Sequence, residues 1–222
     1  MTHHPSEVTL LAYAAGSLDE GLSVVTAAHI GACRACQDAV RVCEAIGGQL
    51  LATLQGTDLA ADALPRALAR LDTPMPPTPV APRPNIHRQI SPAALSSMGF
   101  TPPHALSPYR LGKWRWVAPG IHHILVLPRQ GGHAGLHLLR IAPGTALPEH
   151  GHQGNELACI LTGSYTDETG RYGVGDLAEM DTDDEHKPIA DASEGCICLI
   201  ATDAPLRFRG LLPRLLQPVL GF

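Results

Sequence analysis

Aromatic side chains are scarce, 4% of the 222 residues, and no stretch of about 18 uncharged apolar residues occurs. That excludes an obvious membrane-spanning helix. Basic residues are not in excess: 16 Lys and Arg stand against 21 Asp and Glu, for a net charge of −5. Nucleic acid and anionic membranes are bound mainly through clustered Lys and Arg, so neither is an expected direct partner. The opening Met-Thr-His-His-Pro-Ser-Glu lacks a basic segment followed by an apolar one, so no secretory leader is expected and the chain reads as cytoplasmic. No GxxxxGK[ST], GxGxxG or GxSxG motif occurs, which removes the usual sequence signals for nucleotide binding and serine hydrolysis. There is no internal repeat.

What is present is an ordinary globular composition, 45% hydrophobic and 17% charged, with six cysteines. In a reducing compartment, Cys33, Cys36, Cys43, Cys159, Cys196 and Cys198 are metal ligands, core residues or redox groups rather than structural disulfides. Residues 73–84, TPMPPTPVAPRP, carry six prolines in twelve positions, which removes backbone donors and favours an extended linker, placed at 73–85. Upstream, residues 1–72 are rich in helix formers, with Ser17-x-x-Glu20 as a capping box, Gly16 and Gly47-Gly48 as stops, and Pro65 opening a last helix through Leu71. Three or four short helices follow, with Leu10, Leu11, Leu22, Val25, Ile30, Val40 and Leu50 on their apolar faces. Four arginines stand against eight acidic side chains there, a balance suited to a basic partner. Downstream of Tyr109, short apolar runs (124–127, 136–141, 157–161, 196–201) alternate with Gly, Pro, Asp and Thr, the texture of a β-barrel or sandwich. The expected fold is therefore α + β in two domains: a small helical bundle, then a β-barrel over 86–222.

A bundle of about 70 residues needs a staple. His29-x3-Cys33-x2-Cys36 places an imidazole and two thiols at i, i+4 and i+7, one stripe if they share a helix. Zn²⁺ in structural sites takes four N or S ligands, so one more must come from elsewhere. Cys43 lies two turns beyond Cys36, roughly 10 Å along the axis, too far to share the ion. His3 or His4, on the N-terminal arm, can complete the set.

The second cluster is Gly144-x5-His150-x-His152-x3-Glu156-x6-Gly163. Two imidazoles two apart share a strand face, and Glu156 follows a turn-prone Gln153-Gly154-Asn155. With a histidine from a distant strand they make a three-His, one-carboxylate metal site inside a barrel, open to water or a small-molecule ligand. The segment meets the first cupin motif at every specified position. The second motif keeps Gly175 and His186, while Asp181 and Asp183 stand where it has Pro and Gly, and Ala190 where it has Asn. His186 is the expected fourth ligand, and the donor set suits zinc or another divalent transition metal.

The two clusters together resemble the zinc-binding anti-sigma factors. The HxxxCxxC pattern with an upstream His, the opening HHPSEVTLLAYAAGSL and the far CICLIATDAPLRF are similar to the ChrR-type members, which append a cupin. The resemblance implies His4, rather than His3, as the fourth zinc ligand. It implies an extracytoplasmic-function (ECF) sigma factor as partner, a helical domain that blocks it from RNA polymerase, and a cupin that senses an oxidative signal such as reactive oxygen species. The alternative is a dioxygenase-like cupin metalloenzyme with an accessory zinc domain, and a third reading is a passive small-molecule-binding cupin. Apart from Glu156, which a metal would occupy, the sequence offers no candidate general acid or base, so the regulator is expected, not the enzyme.

Among the remaining residues, Cys196 and Cys198 share one strand face and read as core packing or a redox pair, and Cys159 as packing. Trp114 and Trp116 read as barrel-face aromatics, and His122, His123, His133 and His137 as surface or internally satisfied histidines.

Overall fold

The computed structural model describes residues 1–71, 99–131 and 133–208. The proline-rich segment 73–85 and residues 86–98 and 209–222 lie outside the described residues, as does the boundary at residue 72.

Among the described residues four helices come first: α1 (Glu7–Ala14), α2 (Glu20–Ile30), α3 (Arg34–Thr53) and α4 (Ala63–Leu71). Ser6 caps α1 by accepting from Thr9 N, and Gly16, at φ +68°, ends that turn as expected. Asp19, not Ser17, caps α2 by accepting from Gly21 N. Ser17 is drawn back to the end of α1, where its backbone N–H and hydroxyl both donate to Ala12 O. Gly47-Gly48 does not stop α3, which continues to Thr53. Two glycines cost about 1 kcal/mol each in a helix, and the helix-forming Ala45, Gln49, Leu50 and Leu51 around them offset it. Pro65 sits in the first turn of α4, where its missing N–H costs nothing.

Eleven strands among the described residues then build an antiparallel barrel: β1 (Arg115–Ala118), β2 (Ile121–Leu127), β3 (Gly135–Ile141), β4 (His150–Gly151), β5 (Glu156–Asp167), β6 (Gly170–Gly173), β7 (Leu177–Met180), β8 (Glu185–His186), β9 (Ile189–Ala190), β10 (Cys196–Thr202) and β11 (Arg207–Phe208). The larger sheet runs β1-β2-β3-β10-β5-β6, with β7 and β9 also on β5; the smaller runs β11-β4-β8. Gly163, at φ +66°, kinks β5 against β10; a Cβ there would fall 2.0 Å from Gly195 O, so only glycine fits.

Side-chain parity sorts the wall into two cores. Leu139, Ile141, Ala158, Ile160, Cys196, Cys198 and Ile200 face the interior. Leu136, Leu138, Leu157, Cys159, Leu199 and Ala201 face outward and are covered by Leu22, Val24, Val25 and Ala28 of α2 and by Leu106 of a 3-10 turn (His104–Leu106). Both faces of β10 are thus buried, which is why its sequence is apolar without alternation. The hydrophobic core crosses from the helical unit into the barrel. Polar contacts follow it: Asp19 accepts from Ala134 N at 3.0 Å and faces His133 at 2.9 Å, and Tyr109 donates to Glu20 at 2.8 Å.

Of the predicted helix-face residues, Leu10, Leu22, Val25 and Val40 are buried and Ile30 is half-buried, whereas Leu11 and Leu50 are exposed. Leu10, Cys33, Cys36 and Val40 form a small separate core between α1 and α3, and Leu11 and Leu50 point away from it.

Candidate metal centres

The barrel centre starts from a strand pair only two residues long. β4 lies antiparallel to β8 with His150 directly opposite His186. The chain then turns through Gln153-Gly154-Asn155, and Glu156 opens β5. The turn is pinned by Asp203, which accepts from Asn155 N at 2.8 Å and Asn155 Nδ2 at 3.0 Å; a Cβ on Gly154 would strike that carboxylate. His150, His152, Glu156 and His186 are all buried, and one donor atom from each lies within 4.8 Å of the others.

Hydrogen bonds on the far side of each ring set the chemistry of the near side. His150 Nδ1 lies 2.9 Å from Pro148 O, His152 Nδ1 3.1 Å from Asp184 O, and His186 Nδ1 2.9 Å from Asp167 Oδ2. Carbonyl and carboxylate oxygens only accept, so each Nδ1 carries the proton and each Nε2 turns a lone pair to the centre. His150 Nε2 and His186 Nε2 meet at 3.0 Å, and His152 Nε2 is 3.7 Å from Glu156 Oε1. Converging lone pairs and a carboxylate, buried together, call for a cation; the site fits a divalent metal. The charge balance agrees. Burial lowers the His150 pKa; Glu156, which burial alone would raise, is held below the usual carboxylate range by the imidazoles; and His152, which burial alone would lower, is raised by Glu156.

The helical centre does not sit on one helix. His29 is near the end of α2, Cys33 is the N-cap of α3 and Cys36 lies in its first turn, so the predicted stripe is broken by the turn between the two helices. The side chains converge across that turn, and the arm before α1 brings in His4. His4 Nδ1 is 3.4 Å from Cys33 Sγ, Cys36 Sγ and His29 Nε2, and His29 Nε2 is 3.2 Å from Cys36 Sγ. The four donors lie within 4.8 Å of one another. His3 faces away, toward Asp176 and Tyr172. His29 Nδ1 donates to Gly175 O at 2.7 Å, so its Nε2 lone pair faces the thiols. Burial, and then the hydrogen bond with Cys33, push the Cys36 thiol up to about 11; a cation is what would turn such a pair into thiolates. Two thiols and two imidazoles drawn this close together fit a metal.

The structure adds residues that spacing did not single out. Asp167 is buried against His186 and fixes its ring, although it lies 19 positions away at the far end of β5. The acidic run 181–185 is a self-closed turn, in which Asp181 accepts from Asp183 N and Asp184 accepts from Asp181 N; its contribution to the site is the Asp184 carbonyl. His123 and His137 are a buried pair, Nε2 to Nδ1 at 2.8 Å, and burial lowers their pKa values to about 4 and about 3. Cys196 and Cys198 pack in the interior core and Cys159 against α2. The Cys196 hydrogen bond, then burial, push the Cys198 thiol well up, and burial pushes Cys159 up to about 12, so neither is a ready nucleophile. Trp114 packs at the edge of the outer core, whereas Trp116 is exposed.

A helical unit with a His2Cys2 cluster, joined to a cupin barrel with a three-His, one-carboxylate cluster, defines a cupin protein with two candidate metal centres. Residues 109–205 match the ChrR cupin-like domain family. Over 216 residues, 97% of this chain and 96% of the relative, the sequence is 39% identical to the anti-sigma-E factor ChrR of Cereibacter sphaeroides. The solved structure of Rhodobacter sphaeroides SigE in complex with the anti-sigma ChrR matches at 34% identity and a TM-score of 0.68, covering 90% of this chain and 98% of that one. The chain belongs to the ChrR family of anti-sigma factors.

Proposed function

We propose that this chain is an anti-sigma factor. Residues 1–72 sequester an ECF sigma factor through the helical unit, and the cupin, residues 86–222, holds a metal through which an oxidative signal loosens that hold. The observation that carries the reading is a run of apolar side chains, exposed among the described residues, along the end of α3, the connection that follows it and α4. Ile46, Leu50, Leu51, Leu54, Leu59, Leu64, Leu68 and Leu71 are all exposed, and α4 buries none of its residues. Helices with an apolar stripe and nothing against it are built to lie in a partner's groove. The helical unit's excess of acid over base suits a partner that presents basic surface, as a DNA-binding protein does.

Zinc is the natural ion for the His4, His29, Cys33 and Cys36 set, since two thiolates and two imidazoles match its tetrahedral preference. His150, His152, Glu156 and His186 suit zinc or another divalent transition metal, which would act there as a Lewis acid and, for a redox-active metal such as iron or manganese but not for zinc, as a redox centre. The chain's own groups orient the ligands: Pro148 O, Asp184 O and Asp167 hold the three rings. We read the cupin as a sensor rather than an enzyme, on the strength of its anti-sigma relative. No described helix is long and apolar enough to cross a membrane. The proposed sigma-factor partner, which works with RNA polymerase, is the reason to place the protein in the cytoplasm. A signal releases the partner only as far as it acts differently on the bound and free states; tenfold release needs about 1.4 kcal/mol.

Co-expression with an ECF sigma factor tests the reading. A stable complex and repression of sigma-dependent transcription are expected. A protein that captures no such factor, yet turns over a diketone or phenolic substrate when metal-loaded, would establish the dioxygenase-like enzyme instead.

A further inference from the structure

The helical metal cluster is not built by the helical unit alone. The arm that carries His4 crosses the turn between β6 and β7. At that turn Asp176, almost fully buried, accepts from Thr2 N at 2.7 Å and His3 N at 3.2 Å through Oδ1. Its Oδ2 accepts from Gly173 N at 2.9 Å and Thr2 Oγ1 at 3.4 Å and faces His3 Nδ1 at 3.5 Å. Leu177 N donates to His3 O at 3.2 Å, so the arm is hydrogen-bonded to the start of β7. Three residues on, Glu179 takes the other end: it accepts from Ser6 N at 2.7 Å, Ser6 Oγ at 3.0 Å and Thr9 Oγ1 at 2.6 Å. His4 lies between the two anchors, and the same turn supplies Gly175 O, which orients His29.

We propose that the β6–β7 turn and β7 are a clamp that sets metal affinity at the helical centre, with Asp176 and Glu179 as positioning residues for His4. This rests on reading His4, His29, Cys33 and Cys36 as ligands of one metal in a regulator. Without the two carboxylates the arm loses most of the hydrogen bonds that hold it, keeping the Leu177 N–His3 O bond and the His3–Tyr172 contact, and ligation by His4 would have to overcome more of the entropy of ordering it. With them, His4 is delivered in place, as outer-shell groups do for ligands generally.

The clamp also links the two candidate centres. Gly175 N donates to Ile160 O at 2.8 Å and Ile160 N to Asp176 O at 3.0 Å, so the turn is stitched to β5. Glu156, at the start of β5, lies opposite Met180 at the end of β7. A four-residue strand therefore holds the arm along its length, through Leu177 N and Glu179, and reaches the barrel cluster through Met180 opposite Glu156.

The test is a cobalt(II) titration of full-length, metal-stripped protein, followed by the thiolate-to-cobalt charge-transfer absorption. Cys33→Ser should abolish that band, assigning it to the helical centre. Asp176→Ala and Glu179→Ala should each weaken cobalt binding there by about 10–100-fold, the usual cost of losing an outer-shell partner. Glu179→Gln, which keeps a carbonyl acceptor for Ser6 N, should recover most of it, and Glu194→Ala, on an exposed turn remote from the arm, should match wild type. Asp176 also closes its own turn through Gly173 N, so if Asp176→Ala fails to fold the Glu179 pair carries the test. Affinity within twofold of wild type in Glu179→Ala overturns the clamp. Sigma-factor capture by the same wild-type preparation separates the two claims. Weakened cobalt binding without capture upholds the clamp and removes the regulatory reading, while capture with unchanged cobalt affinity removes the clamp alone.

Discussion

His29 Nδ1 lies 2.7 Å from Gly175 O, so one candidate ligand of the helical centre is aimed by a backbone carbonyl of the barrel. The bond fixes the tautomer and leaves Nε2 facing Cys36. Two units that differ in composition and secondary structure thereby share a candidate metal centre as well as a hydrophobic core.

The uncovered stripe on α4 gives the first prediction. Leu64 and Leu68 are 69% and 54% exposed, so their replacement by Asp should leave the thermal midpoint near that of wild type, as surface changes usually stay within about 0.5 kcal/mol. A desolvated apolar anchor exchanged for a charge should instead cost capture of the sigma factor at least tenfold. Differential scanning calorimetry beside a binding titration checks both. Unchanged binding would move the docking face off α4.

The Cys33 and Cys36 thiols belong to a small core whose other buried members are Leu10 and Val40, edged by the partly buried Tyr13, Ala14, Ile30 and Ala39. Structural zinc contributes about 10–16 kcal/mol to small domains, so Cys36→Ser should remove metal and repression together. Metal analysis of the purified variant beside a transcription assay decides it: repression retained without metal would make the ion dispensable.

Much of this was legible in the sequence because it is local. HxxxCxxC and HxHxxxE are short spacings that converge on almost any compact backbone, so both clusters could be read, although the first straddles two helices instead of one. His4 over His3 was not legible from spacing. It depends on Asp176 and Glu179, more than 170 residues away, and only the family resemblance supplied the choice. Periodicity marked Val25 and Leu22 as inward-facing but could not say inward to what, and their partner is the outer face of the barrel. Asp167 was invisible for the same reason: an acidic residue at a strand end looks solvated until the fold places a histidine on it.

That shared core predicts a cost. Leu22, on the face of α2 that packs against the barrel, should lose about 2–5 kcal/mol on replacement by Ala. The loss should show in a single cooperative denaturant transition of the full chain. A midpoint shift confined to one of two separate transitions would mean that the units unfold independently.

The buried His123–His137 pair predicts acid sensitivity. Both folded pKa values, about 4 and about 3, lie below the usual 6.5, so the unfolded chain binds more protons between those limits. The sign follows: the pair's contribution is complete above about pH 6.5 and is lost as pH falls, by up to about 1.4 kcal/mol per pH unit for each ring. His123→Leu should flatten the stability profile between pH 6.5 and 4 relative to wild type. Parallel profiles from denaturant melts in the two proteins would show that the pair is not what titrates.

Replacing Glu156 tests whether sensing and holding are separate. Its carboxylate is the one anionic donor among the barrel cluster, and it lies in the core, away from the exposed stripe on α4. Glu156→Ala should therefore lower the cupin's metal content while leaving Leu64 and Leu68 free to hold the partner, so basal repression stays near wild type. Release should fail, since the barrel has lost the centre that an oxidant would act on. The measurement is sigma-dependent transcription with and without a reactive-oxygen source, together with metal content. Normal induction from a variant whose cupin holds no metal would place the signal elsewhere. Cys196 and Cys198 would then be the first residues to replace, despite thiols that their burial makes poor nucleophiles.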